Sequence, residues 1–144
     1  MNKRFLQTEA EELSKRFPDQ KLKAIAKWGC CAFTALWIMG IEPTTESITL
    51  LADEMGNGLD EECTVKWYEF FKNITGRAIK VEFRDIKTLI ELKNIKGRIA
   101  VRYDYGKACH WVGVEGGEIA YNSLKYSNCV TNGKPTKARI ITLA

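Results

Sequence analysis

The sequence predicts an α+β fold, with helices filling the first half of the chain and antiparallel strands the second. Three observations carry this. Nearly every residue from Cys30 to Met39 is apolar, which marks a helix buried on all sides. From Ile79 the apolar period changes: Ile79, Val81 and Phe83 alternate with Lys80, Glu82 and Arg84, the pattern of a half-buried strand. Glycine-bearing turns, Gly116-Gly117 and Asn132-Gly133, then separate apolar runs of strand length. With 144 residues, 45% of them hydrophobic, the expectation is a single domain over 1–144 with one core.

The elements follow in order. Thr8 caps a helix over Glu9–Arg16, with acids in its first turn and Lys15-Arg16 in its last, and Pro18 ends it. Asp19 caps a short helix over Gln20–Lys27, and Gly29 breaks the chain before the Cys30–Met39 helix, which Gly40 stops. Thr45 caps Glu46–Met55, and Asp60 caps Glu61–Asn73. In the second half Asp85 caps a short helix over Ile86–Lys93, and Ile99, Val101 and Tyr103 alternate as a strand. Cys109–Glu115 and Glu118–Asn122 form a hairpin, and Ala138–Leu143 is the last strand.

Composition narrows the function. Lys and Arg exceed Asp and Glu by four, but the bases are scattered among acids, the pattern of a solvated face rather than a nucleic-acid stripe. No apolar run reaches the ~18 residues of a membrane span, and acids near the N-terminus occupy the place of a signal peptide's apolar stretch. Five cysteines without such a signal point to a reducing, cytoplasmic setting. Cys63 and Cys129 read as small buried hydrophobes. No phosphate-cradling glycine loop or paired-carboxylate motif is present, and no cofactor is expected.

Two segments carry chemistry. Trp28-Gly29-Cys30-Cys31 places two thiols in the first turn of the buried helix, and Cys109-His110-Trp111 places the chain's one histidine at the start of a strand. A thiol with its ordinary pKa of about 8.5 is a poor nucleophile at pH 7. A helix N-terminus lowers that value, and a neighbouring imidazolium lowers it to roughly 3–4. Asn122 is the candidate third group, orienting the imidazole of His110. The hairpin decides whether it can. A three-residue loop, Glu115 to Gly117, pairs 110 with 122 and sets the two side chains on one face. A two-residue loop, Gly116-Gly117, pairs 110 with 123 and turns Asn122 away, leaving Ser123 or Tyr121 to orient the ring.

The order Cys, His, Asn and the run Cys30-Cys31-Ala32-Phe33-Thr34-Ala35 resemble the papain-like cysteine peptidases. The nearest likeness is to a small bacterial and phage branch related to the bacteriocin-leader peptidases. Its aromatic-Gly-Cys pattern favours Cys30 as nucleophile. The same branch's Phe at plus two and Leu at plus five match Phe33 and Leu36 and favour Cys31. His110-Trp111 with Tyr121-Asn122-Ser123-Leu124 is similar to the His–Asn segment of Josephin deubiquitinating domains and to the His–Asp segment of SUMO proteases, which place His before Cys. The resemblance implies a papain-like domain, a helical N-terminal half with a central Cys-bearing helix packed on a C-terminal antiparallel sheet. It implies a cysteine peptidase or amidase acting on a peptide or protein through a thioester, with no metal. One departure stands out: such enzymes carry a Gln about six residues before the nucleophile. Here Gln20 lies ten before Cys30, leaving Lys27 or Trp28 to supplement the oxyanion hole.

Two other readings compete. An inactive domain of the same shape would bind a peptide or protein partner without cutting it. A zinc site would draw on Cys30, Cys31, Cys109 and His110, but adjacent side chains on a strand point to opposite faces.

Overall fold

The computed structural model describes residues 30–41, 72, 76–124 and 127–143. The helices expected over 9–16, 20–27, 46–55 and 61–73 fall outside these residues, apart from Lys72, which is helical. The described chain is a ten-residue helix, α1 (Cys30–Met39), followed by a five-stranded antiparallel sheet. The strands are β1 (Ile79–Asp85), β2 (Arg98–Tyr105), β3 (Ala108–Glu115), β4 (Glu118–Asn122) and β5 (Lys134–Leu143), in the spatial order β1-β5-β2-β3-β4. A 3₁₀ turn (Leu89–Leu92) follows β1, and a short helix, α2 (Asn128–Asn132), precedes β5.

This corrects the expected fold class. The described residues are mostly antiparallel sheet, not a helical half with a central Cys-bearing helix laid on a sheet. The helix that carries Cys30 is off-centre, packed on β3, β2 and β4 at one side of the sheet. The sheet is larger than expected because β5 starts at Lys134, not Ala138, and inserts between β1 and β2, pairing with both. Such non-local pairing leaves no local periodicity to read. Pro135 hid it further, because proline demotes a strand. It is tolerated here: the β1 pairing stops at Asp85↔Lys137, and the β2 register shifts between Arg102 and Tyr103. The freed Thr136 carbonyl accepts the Ile86 N–H at 3.0 Å.

Helix α2 leads into the turn expected at Asn132-Gly133. Gly133 closes it, returning its N–H to the Cys129 carbonyl at 3.0 Å. A Cβ at Gly133 would lie 2.3 Å from two carbonyl oxygens, those of Asp104 and Cys129. The helix expected after Asp85 is the 3₁₀ turn instead. Its cap is Thr88, and the Glu91 carboxylate accepts the Thr88 N–H at 2.8 Å.

Both sheet faces are covered at the centre. On one face Ile99, Val101, Tyr103, Val112 and Val114 join Leu92 and Cys129 in a single core cluster. On the other lies α1, where Phe33, Thr34, Ala35 and Leu36 are all buried. Four consecutive buried positions cover most of a helix's circumference, as the all-apolar run predicts. Burying Phe33 and Leu36 contributes roughly 1.5–3 kcal/mol each. Trp37 stacks on Tyr121 at 5.9 Å, and Arg98 sits over the Trp37 ring while donating to the Trp37 carbonyl at the end of α1. Among the described residues no helix is long and apolar enough to cross a membrane.

Candidate functional site

His110 and Asn122 meet. The His110 Nε2–H donates to Asn122 Oδ1 at 2.7 Å. The same oxygen accepts the Leu124 backbone N–H at 3.0 Å. A backbone N–H can only donate, so this second bond identifies the amide atom as the oxygen. His110 must therefore carry its proton on Nε2, which leaves Nδ1 as the basic nitrogen.

The route to this contact differs from both hairpin alternatives. The loop is the short one: Glu115 pairs with Glu118, and Gly116 and Gly117 have φ of 64° and 80°. Positive φ at both central residues is the signature of a two-residue type I′ turn. Regular pairing would then have turned Asn122 away from His110. A β-bulge intervenes. Val114 pairs with Ile119, but Gly113 pairs with Tyr121 and Val112 with Asn122, so Ala120 is the extra residue. The one-residue shift returns Asn122 to the face of Val112 and His110. Tyr121 instead shares the other face with Trp37, and Ser123 is buried just beyond β4. Sequence periodicity carries no mark of the bulge; a short alanine within a strand of larger residues is the one local hint.

His110 is 4% exposed. Burial pushes its pKa below the ordinary histidine value, and the Asn122 acceptor partly offsets this by favouring the protonated ring. The imidazole is therefore held neutral near pH 7, not as the imidazolium expected beside a thiolate.

Cys30 opens α1 and is 3% exposed, and Cys31 is the helix's second residue. Thr34 ties this turn to the strand that holds His110. Its hydroxyl lies 2.7 Å from the Cys30 carbonyl and 3.4 Å from the Trp111 carbonyl. The β2–β3 hairpin closes at Tyr105↔Ala108, so by antiparallel alternation the Trp111 carbonyl points away from β2. It emerges at the edge of β3 past the last β4 pair, Val112↔Asn122.

The faces impose a condition on any joint chemistry. A Cβ on Gly113 would strike the Trp37 ring at 2.4 Å, so α1 packs on the Gly113 face. His110 is offset from Gly113 by an odd number of residues and faces Tyr103, on the opposite side. Among the described residues the His110 ring donates its Nε2–H to Asn122 Oδ1. Joint chemistry of Cys30 and His110 would therefore have to pass around an edge of the sheet. Cys109 lies on the α1 face, opposite Asp104, and no group of three or more metal-binding side chains occurs among the described residues. Gln20, Lys27 and Trp28, the candidates for the oxyanion hole, lie outside the described residues. Scans against protein-family models, characterised proteins and solved structures gave no match to this chain.

Proposed function

We propose that the chain is a thiol hydrolase, a peptidase or amidase of a reducing, cytoplasmic setting, in which Cys30 or Cys31 attacks the acyl carbon of a peptide or protein. The observation that supports it is the His110–Asn122 pair, with its amide orientation set by Leu124. In this reading neutral His110 is a general base. Its Nδ1 takes the thiol proton as sulfur bonds to the acyl carbon, then gives it to the departing amine as the C–N bond breaks. Water, deprotonated by the same nitrogen, clears the thioester.

A second reading has its own support. α1 packs on the sheet face opposite His110, and His110 is buried. These facts favour a domain that binds a peptide or protein partner without turnover.

Iodoacetamide alkylation between pH 6 and 8, mapped by mass spectrometry on wild type and His110→Ala, separates them. General-base assistance contributes up to ~10²–10⁴ in rate, so the hydrolase reading expects Cys30 or Cys31 to react at least about tenfold faster in wild type. Equal rates in the two proteins reject it in favour of binding.

A further inference from the structure

On the α1 face of the sheet, two aromatic rings turn toward one cation. The guanidinium carbon of Arg139 lies 4.3 Å from the centre of the Phe83 ring and 5.2 Å from that of Trp111. Phe83 is the direct cross-strand neighbour of Arg139 on β1, and Ala100 is its neighbour on β2. Alanine is small enough to let the guanidinium cross toward Trp111 on β3.

The charges nearby do not balance. Arg102 is held by both oxygens of Asp104, at 3.0 and 3.1 Å. Lys137 is held by Asp85 at 3.0 Å. Arg139 has no carboxylate within ion-pair distance among the described residues, and one of its five donors is used, on the Ala138 carbonyl at 3.2 Å. Among the described residues three cations thus face two carboxylates. Burial and, after it, repulsion from Arg102 disfavour the Arg139 charge, with Asp85 partly offsetting them, yet arginine stays protonated. The two rings flank the half-buried guanidinium on one side each and reduce its contact with water, which strengthens an ion pair made there.

We infer that Arg139 anchors a binding site for the carboxylate of a peptide ligand, either an acidic side chain or a free C-terminus. The fork matches a carboxylate bidentately, and one surplus positive charge suits one carboxylate better than a dianionic phosphate. The site stands on these contacts whether or not the thiols are catalytic. It shares Trp111 with α1: the ring faces Arg139 and the carbonyl faces Thr34.

The test titrates the full chain with N-acetylglycine, N-acetylglycinamide and inorganic phosphate at constant ionic strength, reading the arginine Nε–Hε resonances by NMR. Arg84, paired with Glu82 on the opposite face, is the internal control. The expected result is a saturable shift of Arg139 with N-acetylglycine, none with the amide, and a still Arg84. Arg139→Lys should weaken binding about tenfold, the loss of one charge-assisted hydrogen bond. If that variant does not fold, the wild-type titration alone decides. Unsaturable shifts shared by Arg139 and Arg84, or phosphate saturating below N-acetylglycine, overturn the inference.

Discussion

Acidification should destabilise this protein through His110. His110 is the chain's one histidine, and burial sets its folded pKa below the unfolded value of about 6.5. The unfolded chain therefore binds a proton before the folded one does. The contribution of neutral, buried His110 is fully present above pH ~6.5 and is lost as pH falls toward the folded pKa. One proton limits the slope to about 1.4 kcal/mol per pH unit. Over one unit that is a sizeable share of the ~5–15 kcal/mol typical of a domain. The assay is urea unfolding at pH 7.5, 6.5 and 5.5, with His110→Gln as reference, because the carboxylates titrate alike in both proteins. Wild type should lose stability relative to the variant on acidification. Parallel curves would mean that burial does not act on His110. A relative gain would mean a stabilised imidazolium, as in a preformed pair with a thiolate, and would refute the neutral-base argument.

Two further changes test the packing. Gly113→Ala puts a methyl 2.4 and 2.5 Å from Trp37 ring atoms, an overpacking that should cost ~1–3 kcal/mol. Urea unfolding that shows no loss would mean that α1 does not lie on this face. Deleting Ala120 removes the bulge residue yet keeps Asn122 opposite Val112, so the His110–Asn122 bond and its partial offset of the burial shift should persist; a further fall in the His110 pKa, read by NMR titration, would mean that the deletion misaligns Asn122 and would refute this account of the register.

Much of the local structure was legible. The all-apolar run gave an enclosed helix at Cys30–Met39, and the alternation at Ile79–Phe83 and Ile99–Tyr103 gave β1 and β2. Turn chemistry placed the hairpin at Gly116-Gly117. What failed was non-local. The insertion of β5 between β1 and β2 depends on pairings between residues 30 to 64 apart in the chain, and Pro135 masked its start. The side of the sheet that α1 occupies depends on Trp37 finding the one glycine in β3.

Read along the chain, the available side chains are plain: two thiols at a helix start, one imidazole, one amide twelve residues on. Residue type and period are local properties, so they can be read along the chain. Their spatial relations come from contacts between distant parts of the chain. A single bulged residue turned Asn122 back to His110, and close packing at Gly113 put the helix on the other face. In a strand one residue of register exchanges the two faces, and that register is set by the competition of turn geometry and packing, which no local pattern records.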